Sequence, residues 1–329
     1  MTGATGALGR ALLPELTALG APIRVLEHQM SSLLPRERLL CERVHGDLAK
    51  PGTLRGAVDG CDVVVHAAAR TGFARFARDT QRRINVEGTE ALIREAESAG
   101  ARVFVLIGYA GTVQERDDTE TPVDEETSPE GRYESEYVRM KYEAETLTLE
   151  ANRAGVFRSM VVSPGVVLHP GASTILGGLV QAFVAGELPY RLLPEVWLAT
   201  SDGSDVGRGT ASAIERGHGG RRYFATGDCF RLGDLYTLLG EHSGVAPPRR
   251  RLPDLLVEEL GLLTPVLPPH SFLRQLVLPR ELVLHLKRLA PVRNDRTRSD
   301  LQFEPTPFKT TLASVIGAGP LDRRAGESA

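Results

Sequence analysis

The sequence predicts an α/β fold: a doubly wound, mainly parallel sheet followed by a smaller, mostly helical C-terminal lobe. Three observations carry this expectation. Glycines stand at positions 3, 6 and 9, immediately ahead of an amphipathic segment. Short apolar runs then alternate with helical segments through the first half of the chain, as βαβ units require. After Pro170 the texture changes, with frequent Pro and Gly between short helical stretches. The boundaries drawn from this are an α/β unit over 1–169, with a later return segment near 200–230, and a largely helical lobe over 170–329.

The elements follow in order. Ile23–Leu26, Val63–His66 and Val103–Ile107 are brief apolar runs of the kind buried on both faces of a parallel sheet. Helices are expected over Arg10–Leu19 and Thr89–Ala99, closed by Gly20 and Gly100. Met160–Val162 and Val166–Leu168 continue the sheet or lead out of it. Further on, Arg231–Ser243 and Glu281–Leu289 read as helices, and Pro247–Pro253 as a loop. Arg249, Arg250 and Arg251 in that loop read as a solvated patch, the alternative being a phosphate clamp. Leu255–Leu267 is apolar but interrupted by Glu258, Glu259 and Pro265; it reads as a helix covering a substrate pocket, against an interfacial anchor. Residues 323–329 are polar and expected to fray.

Composition narrows the function classes. The chain has 329 residues, 42% hydrophobic and 25% charged, which fits a globular protein rather than a disordered one. A net charge of −3 argues against a nucleic-acid partner, since phosphate neutralisation needs surplus Lys and Arg. No apolar run is long enough to span a membrane, and no basic-then-apolar leader opens the chain. Cys41, Cys61 and Cys229 are far apart and odd in number, so neither a disulfide framework nor a cysteine zinc site is expected, and a reducing cytoplasm fits best. No metal site is expected.

The chemistry begins at Thr2-Gly3-Ala4-Thr5-Gly6-Ala7-Leu8-Gly9. Gly3 permits a tight turn, Gly6 lets backbone approach a pyrophosphate, and Gly9 allows a helix to pack closely on the sheet. The N-terminus of that helix offers unpaired N–H groups to phosphates. A second pair is Tyr137 and Lys141, four apart on a helix and therefore on one face. An ammonium beside a phenol lowers the phenol's pKa, making it a usable acid/base near neutral pH. Neither motif is specific alone; their joint occurrence in this order is.

With these residues in view, the chain resembles the extended short-chain dehydrogenases/reductases of the NAD-dependent epimerase/dehydratase superfamily, over nearly its whole length. The matching landmarks are 2–9, Gly46-Asp47-Leu48, Val65-His66-Ala67-Ala68-Ala69, Asn85-Val86-Glu87-Gly88-Thr89, Tyr137 to Lys141, and Ser163-Pro164-Gly165-Val166-Val167. The resemblance implies a Rossmann sheet, with Thr5, Ala7 and Leu8 in the phosphate turn beside the three glycines. It also implies that Asp47 bonds the adenine with Leu48 packed on it, that Ala67–Ala69 line the dinucleotide, that Lys141 touches the nicotinamide ribose, and that Pro164 and Val166 sit beside the nicotinamide. Singly, each landmark has a plainer reading. Asp47 suits an ordinary turn, His66 a satisfied core histidine, and Asn85 either a helix cap or a support of the cofactor pocket.

Glu27, 24 residues after Gly3, places a carboxylate at the end of the second strand of such a unit. It would accept bonds from the adenosine ribose hydroxyls and repel a 2′-phosphate, favouring NAD. His28 follows it; protonated, it would leave NADP possible.

Two departures stand out. The family places Ser or Thr after the fifth strand, beside the tyrosine, but here the segment reads Ile107-Gly108-Tyr109-Ala110-Gly111-Thr112-Val113. The counterpart falls at Tyr109 or Ala110, leaving the hydroxyl of Tyr109 or Thr112 to substitute, or Tyr137 and Lys141 to work alone. The second departure is the start at Met1-Thr2-Gly3, with no residues for the strand that precedes the glycine turn. The expectation drawn is a natural start upstream, since three or four missing aliphatic side chains each contribute about 1.5–3 kcal/mol when buried.

Dehydratases of this superfamily carry an Asp-Glu pair where this chain has Ala110, Gly111 and Thr112, so dehydration is not expected. The segments at 163–167 and 110–113 resemble the dihydroflavonol reductase and 3β-hydroxysteroid dehydrogenase branch. The leading expectation is a NAD(P)-dependent enzyme moving hydride between nicotinamide and a carbonyl or secondary alcohol on an apolar small molecule, the leucines at 255, 256, 260, 262 and 263 suiting such a skeleton. A sugar-nucleotide epimerase and a non-catalytic dinucleotide-binding protein are the alternatives. A homodimer is implied by the resemblance.

Overall fold

The computed structural model describes residues 1–28, 33, 35–73, 78–170, 174–264 and 277–318. Its main sheet is parallel and runs β2 (Cys41–His45), β1 (Ile23–Glu27), β3 (Val63–His66), β4 (Val103–Ile107), β5 (Arg158–Ser163) and β8 (Arg222–Phe224). Between β1 and β3, where an ordinary strand would lie, stand Met1 and Thr2 alone. Thr2 bridges in parallel to both Leu26 and His66. The Leu26 N–H donates to the Met1 carbonyl at 2.9 Å, and the Thr2 N–H donates to the Val65 carbonyl at 2.9 Å. The expected gap is therefore partly closed: two residues hold the strand position and join the halves of the sheet.

Alternation along the strands sorts side chains onto two faces. Val103, Val105 and Ile107 join Leu12, Leu16, Met160 and Tyr223 on one side. Phe104 and Leu106 join Leu54, Leu92, Ala96 and Phe157 on the other. Helices Ala7–Thr17 and Gly203–Arg216 pack together over the first face, and Gly88–Ser98 and Glu136–Glu150 cover the second. This is the doubly wound arrangement expected, with the return segment supplying β8.

The C-terminal lobe is less purely helical than expected. Val166–Leu168 (β6) leads out of the main sheet and pairs in parallel with β7 (Trp197–Asp202), which pairs antiparallel with β9 (Cys229–Arg231). Helices Ile175–Val184, Leu232–Ser243, Asp254–Leu260, Arg280–Leu286 and Phe308–Gly317 pack around this small sheet, burying Leu176, Phe183, Leu235, Tyr236, Val283 and Leu312. Of the leucines expected to suit a pocket, Leu255 and Leu256 are exposed instead, their helix turning Val257 inward, and Leu262 and Leu263 are exposed on the turn that follows it. Arg249, Arg250 and Arg251 lie on the surface, with Arg251 facing Glu195 and Asp254. Residues 265–267 and 323–329 of the earlier expectations fall outside the described residues. Among the described residues, no helix is long and apolar enough to cross a membrane.

Candidate active site

The phosphate end is built from backbone. Gly3 has φ +73°, and a Cβ there would stand 2.5 Å from the Ala68 nitrogen. At Gly9 the same atom would meet the Gly3 carbonyl oxygen at 1.8 Å, so the helix lies directly on the turn. A Cβ at Gly6 would meet only the Gly3 oxygen, at 3.4 Å, which leaves its outer side open to a ligand. Gly6 caps the helix Ala7–Thr17 with extended backbone and no side-chain hydrogen bond, so the first-turn N–H groups, Ala7 and Leu8 among them, remain available for an anion. Thr5 contributes its carbonyl to Arg10 Nε at 3.1 Å.

At the far end of β1, Glu27 has a fully buried carboxylate whose two oxygens accept no hydrogen bond among the described residues. Arg43 Nη1 stands 3.7 Å from Oε2. A buried, unbonded carboxylate is costly unless something donates to it, and ribose hydroxyls are donors of the right kind. His28 beside it is exposed. The glycine cradle and the unsatisfied Glu27 together fit a dinucleotide.

Asp47 makes the turn that its plainer reading expects: Oδ1 accepts from the Ala49 N–H at 2.9 Å, and Lys50 stands 3.7 Å from Oδ2. Leu48 is buried among Leu54, Val58 and Leu92 rather than displayed. Ala67, Ala68 and Ala69 follow β3 and are half-exposed, with the Ala68 N–H donating to Thr2 Oγ1 at 3.1 Å.

Asn85 braces backbone rather than capping a helix. Its Oδ1 accepts from the Arg70 N–H at 2.8 Å and its Nδ2 donates to the Arg70 carbonyl at 3.0 Å. The side chain thus holds the segment just after the alanines. It does so from a π-helical turn, Arg83–Glu87, an irregularity that recurs at functional sites. His66 is the satisfied core histidine expected: it bonds Thr2 at 2.7 Å and Thr89 at 3.0 Å, and burial pushes its pKa down to about 3.

Tyr137 and Lys141 share the helix Glu136–Glu150. Lys141 is buried and donates to the Ile107 carbonyl at 2.7 Å, at the end of β4. Burial lowers its pKa to about 8, opposed by Glu145. Tyr137 is not lowered as expected; burial pushes it up to about 12. One ammonium N–H goes to the Ile107 carbonyl, and desolvation is the governing influence on the phenol.

The loop after β4 decides where hydroxyls lie. Thr112 Oγ1 donates to the Tyr109 carbonyl at 2.9 Å and to Glu145 Oε2 at 3.0 Å, fully buried. Both bonds hold it inside the scaffold. Ala110 is buried, and its N–H donates to the Pro164 carbonyl at 2.8 Å, which ties this loop to the turn preceding Val166. The Tyr109 hydroxyl instead lies 2.9 Å from His285 Nε2. Burial, then the nearby Tyr137, hold the Tyr109 phenol above its ordinary range. Phe73 closes the cluster, with ring centroids 5.6 Å from Tyr137 and 6.4 Å from His285.

His285, and Glu115 behind it, were not singled out from the sequence. The available signal was one histidine inside the apolar run Leu282-Val283-Leu284-His285-Leu286; nothing local links it to position 109, 176 residues away.

The chain is 28% identical over 332 residues to sterol demethylase protein B of Methylococcus capsulatus, covering 96% of each. It is 31% identical over 246 residues to a 4-hydroxy-2-methyl-3-oxo-4-farnesyl-3,4-dihydroquinoline-1-oxide ketoreductase of Stigmatella aurantiaca, covering 74% of this chain and 73% of that one. The crystal structure of gox2253 superposes with a TM-score of 0.79 at 27% identity, covering 99% of this chain and 97% of that one. The NAD dependent epimerase/dehydratase family model matches residues 1–204. With that match over more than half its length, the chain belongs to the NAD-dependent epimerase/dehydratase family.

Proposed function

We propose that the protein is a NAD(P)-dependent oxidoreductase acting on a carbonyl or secondary alcohol of a small, apolar molecule. The observation that carries this reading is the proximity of two part-buried phenols, Tyr137 and Tyr109, with the ring of Phe73 against Tyr137. Two neighbouring phenols beside an aromatic ring suit one substrate oxygen on a hydrocarbon frame.

The cofactor is a nicotinamide dinucleotide, held at its phosphates by the Gly3–Gly9 turn and at its adenosine ribose by Glu27. Bound there, it supplies or takes up a hydride. Tyr137 gives a proton to the substrate oxygen on reduction and takes it back on oxidation, so alcohol and oxidised cofactor balance carbonyl, reduced cofactor and one proton. Lys141 fixes the nicotinamide ribose, while Asn85 keeps the 67–70 segment in place. The names of the Stigmatella ketoreductase and the Methylococcus sterol demethylase protein, both associated with largely apolar molecules, support the substrate class.

The test is net oxidation or reduction of the cofactor across a panel of apolar ketones and secondary alcohols. Wild type should turn over at least one, and Tyr137→Phe should lose about 10³-fold or more of that rate while keeping its NAD affinity. Tightly held NAD with no net turnover would favour an epimerase. Near wild-type activity in Tyr137→Phe would contradict the assignment of the proton to Tyr137.

A further inference from the structure

The helix Asp254–Leu260 and the turn Gly261–Leu263 that continues it are packed in the opposite sense to an ordinary surface helix. Such a helix buries its leucines and shows its charges. Here Leu255, Leu256, Leu262 and Leu263 are 69%, 45%, 55% and 48% exposed, while Val257, Glu258, Gly261 and Thr264 are buried. Leu260 and Gly261 keep right-handed helical backbone, so the exposed face runs on without a break. Positions 255 and 262, like 256 and 263, are seven apart, about two helical turns, which puts the four leucines on one side.

The inward side fixes this orientation. Glu258 accepts from Arg280 Nη2 at 2.7 Å and from Lys287 Nζ at 3.1 Å. A Cβ at Gly261 would stand 2.7 Å from the Arg280 backbone nitrogen, so the turn lies directly on the helix Arg280–Leu286. Rolling the leucines inward would take a buried carboxylate from both its cations and drive side chains into that backbone. Just ahead of the helix, Arg249 and Arg250 are exposed and their side chains have no partner among the described residues. Arg251 is paired with Glu195 and Asp254.

We propose that this face is a docking surface for an anionic lipid bilayer. Four leucines held outward on a fixed helix suit the boundary between headgroups and acyl chains, and the two unpaired guanidiniums at its entrance suit lipid phosphates. A groove on a soluble partner would account for the leucines alone; the free cations beside them point to a surface that carries negative charge. Glu259, exposed between the two leucine pairs, keeps the face at headgroup depth rather than in the hydrocarbon.

Co-sedimentation of the full chain with lipid vesicles tests this without substrate or cofactor, so its outcome is independent of the oxidoreductase reading. Wild type should bind vesicles of phosphatidylglycerol and phosphatidylcholine in equal parts, and added salt should weaken the binding. The double variant Leu255→Asp, Leu262→Asp should bind them at least about tenfold more weakly. The double variant Arg249→Gln, Arg250→Gln should lose about tenfold or more of the preference for these vesicles over phosphatidylcholine alone. All four positions are exposed, so both variants should melt as wild type does. If the leucine pair does not fold, Leu255→Ser, at the most exposed of the four, should still weaken binding about fivefold. Wild type that stays in solution overturns the proposal, as does binding that survives either pair of substitutions. A dimer that the leucine substitutions make monomeric, with no vesicle binding, also overturns it and assigns the face to a second copy of the chain.

Discussion

The two ends of the site are made in different ways. The dinucleotide end is local: Gly3, Gly6 and Gly9 lie within seven residues, and what matters there is the absence of a Cβ and the direction of backbone N–H groups. The proposed reaction end is assembled from afar. Tyr109, Glu115, Tyr137 and His285 meet through a strand-end loop, a short helix, a long helix and the distant helix Arg280–Leu286. The first is set by covalent neighbourhood and steric exclusion, the second by tertiary packing. A single substitution should therefore act on them in different ways.

The largest effect is expected at Gly9→Val. Its Cβ would stand 1.8 Å from the Gly3 oxygen, a backbone atom that cannot step aside without opening the turn. Loss of measurable NAD binding by calorimetry, with a lower melting temperature, is the expected outcome; wild-type affinity would refute the cradle. Next comes Glu27. Wild type should bind NADH at least about tenfold more tightly than NADPH, about 1.4 kcal/mol, and Glu27→Ala should narrow that gap. Equal affinities in wild type would remove Glu27 from the ribose site.

A smaller effect is expected from pH. Burial lowers Lys141 to about 8, so its ammonium is present below that pH and lost as pH rises through it. If the charge is needed, kcat/KM for carbonyl reduction should be level on the acid side and fall above about pH 8. Tyr137, raised to about 12, remains protonated throughout this range and adds no inflection of its own. A profile that stays level well above pH 8, or one unchanged in Lys141→Met, would show that the ammonium is not required.

The same contrast explains what was legible in the sequence. β1, β3 and β4 were readable within a residue because strands buried on both faces are short continuous apolar runs. The glycine turn and the Tyr137–Lys141 face were readable because their spacing is their geometry. Val166–Leu168 was left open because three residues cannot declare which sheet they will join, and it joined β7 rather than β5. Asn85 was undecided between cap and brace because the π-helical turn that aims it at Arg70 has no local signature. The lowering of Tyr137 by Lys141 was expected from spacing alone; which acceptor an ammonium chooses depends on where the Ile107 carbonyl happens to be. His285 was invisible for the same reason on a larger scale.

The central claim is that Tyr109 supplies the second hydroxyl at the substrate oxygen in place of a small one. The most direct measurement compares kcat of Tyr109→Phe and Thr112→Val on a substrate found in the panel. Thr112 already gives its hydrogen to Glu145 and the Tyr109 carbonyl, so Thr112→Val should leave kcat within a few-fold of wild type. Tyr109→Phe should lower it about 10²–10³-fold, as removal of one preorganised hydroxyl does. A large loss in Thr112→Val with little change in Tyr109→Phe would contradict the assignment.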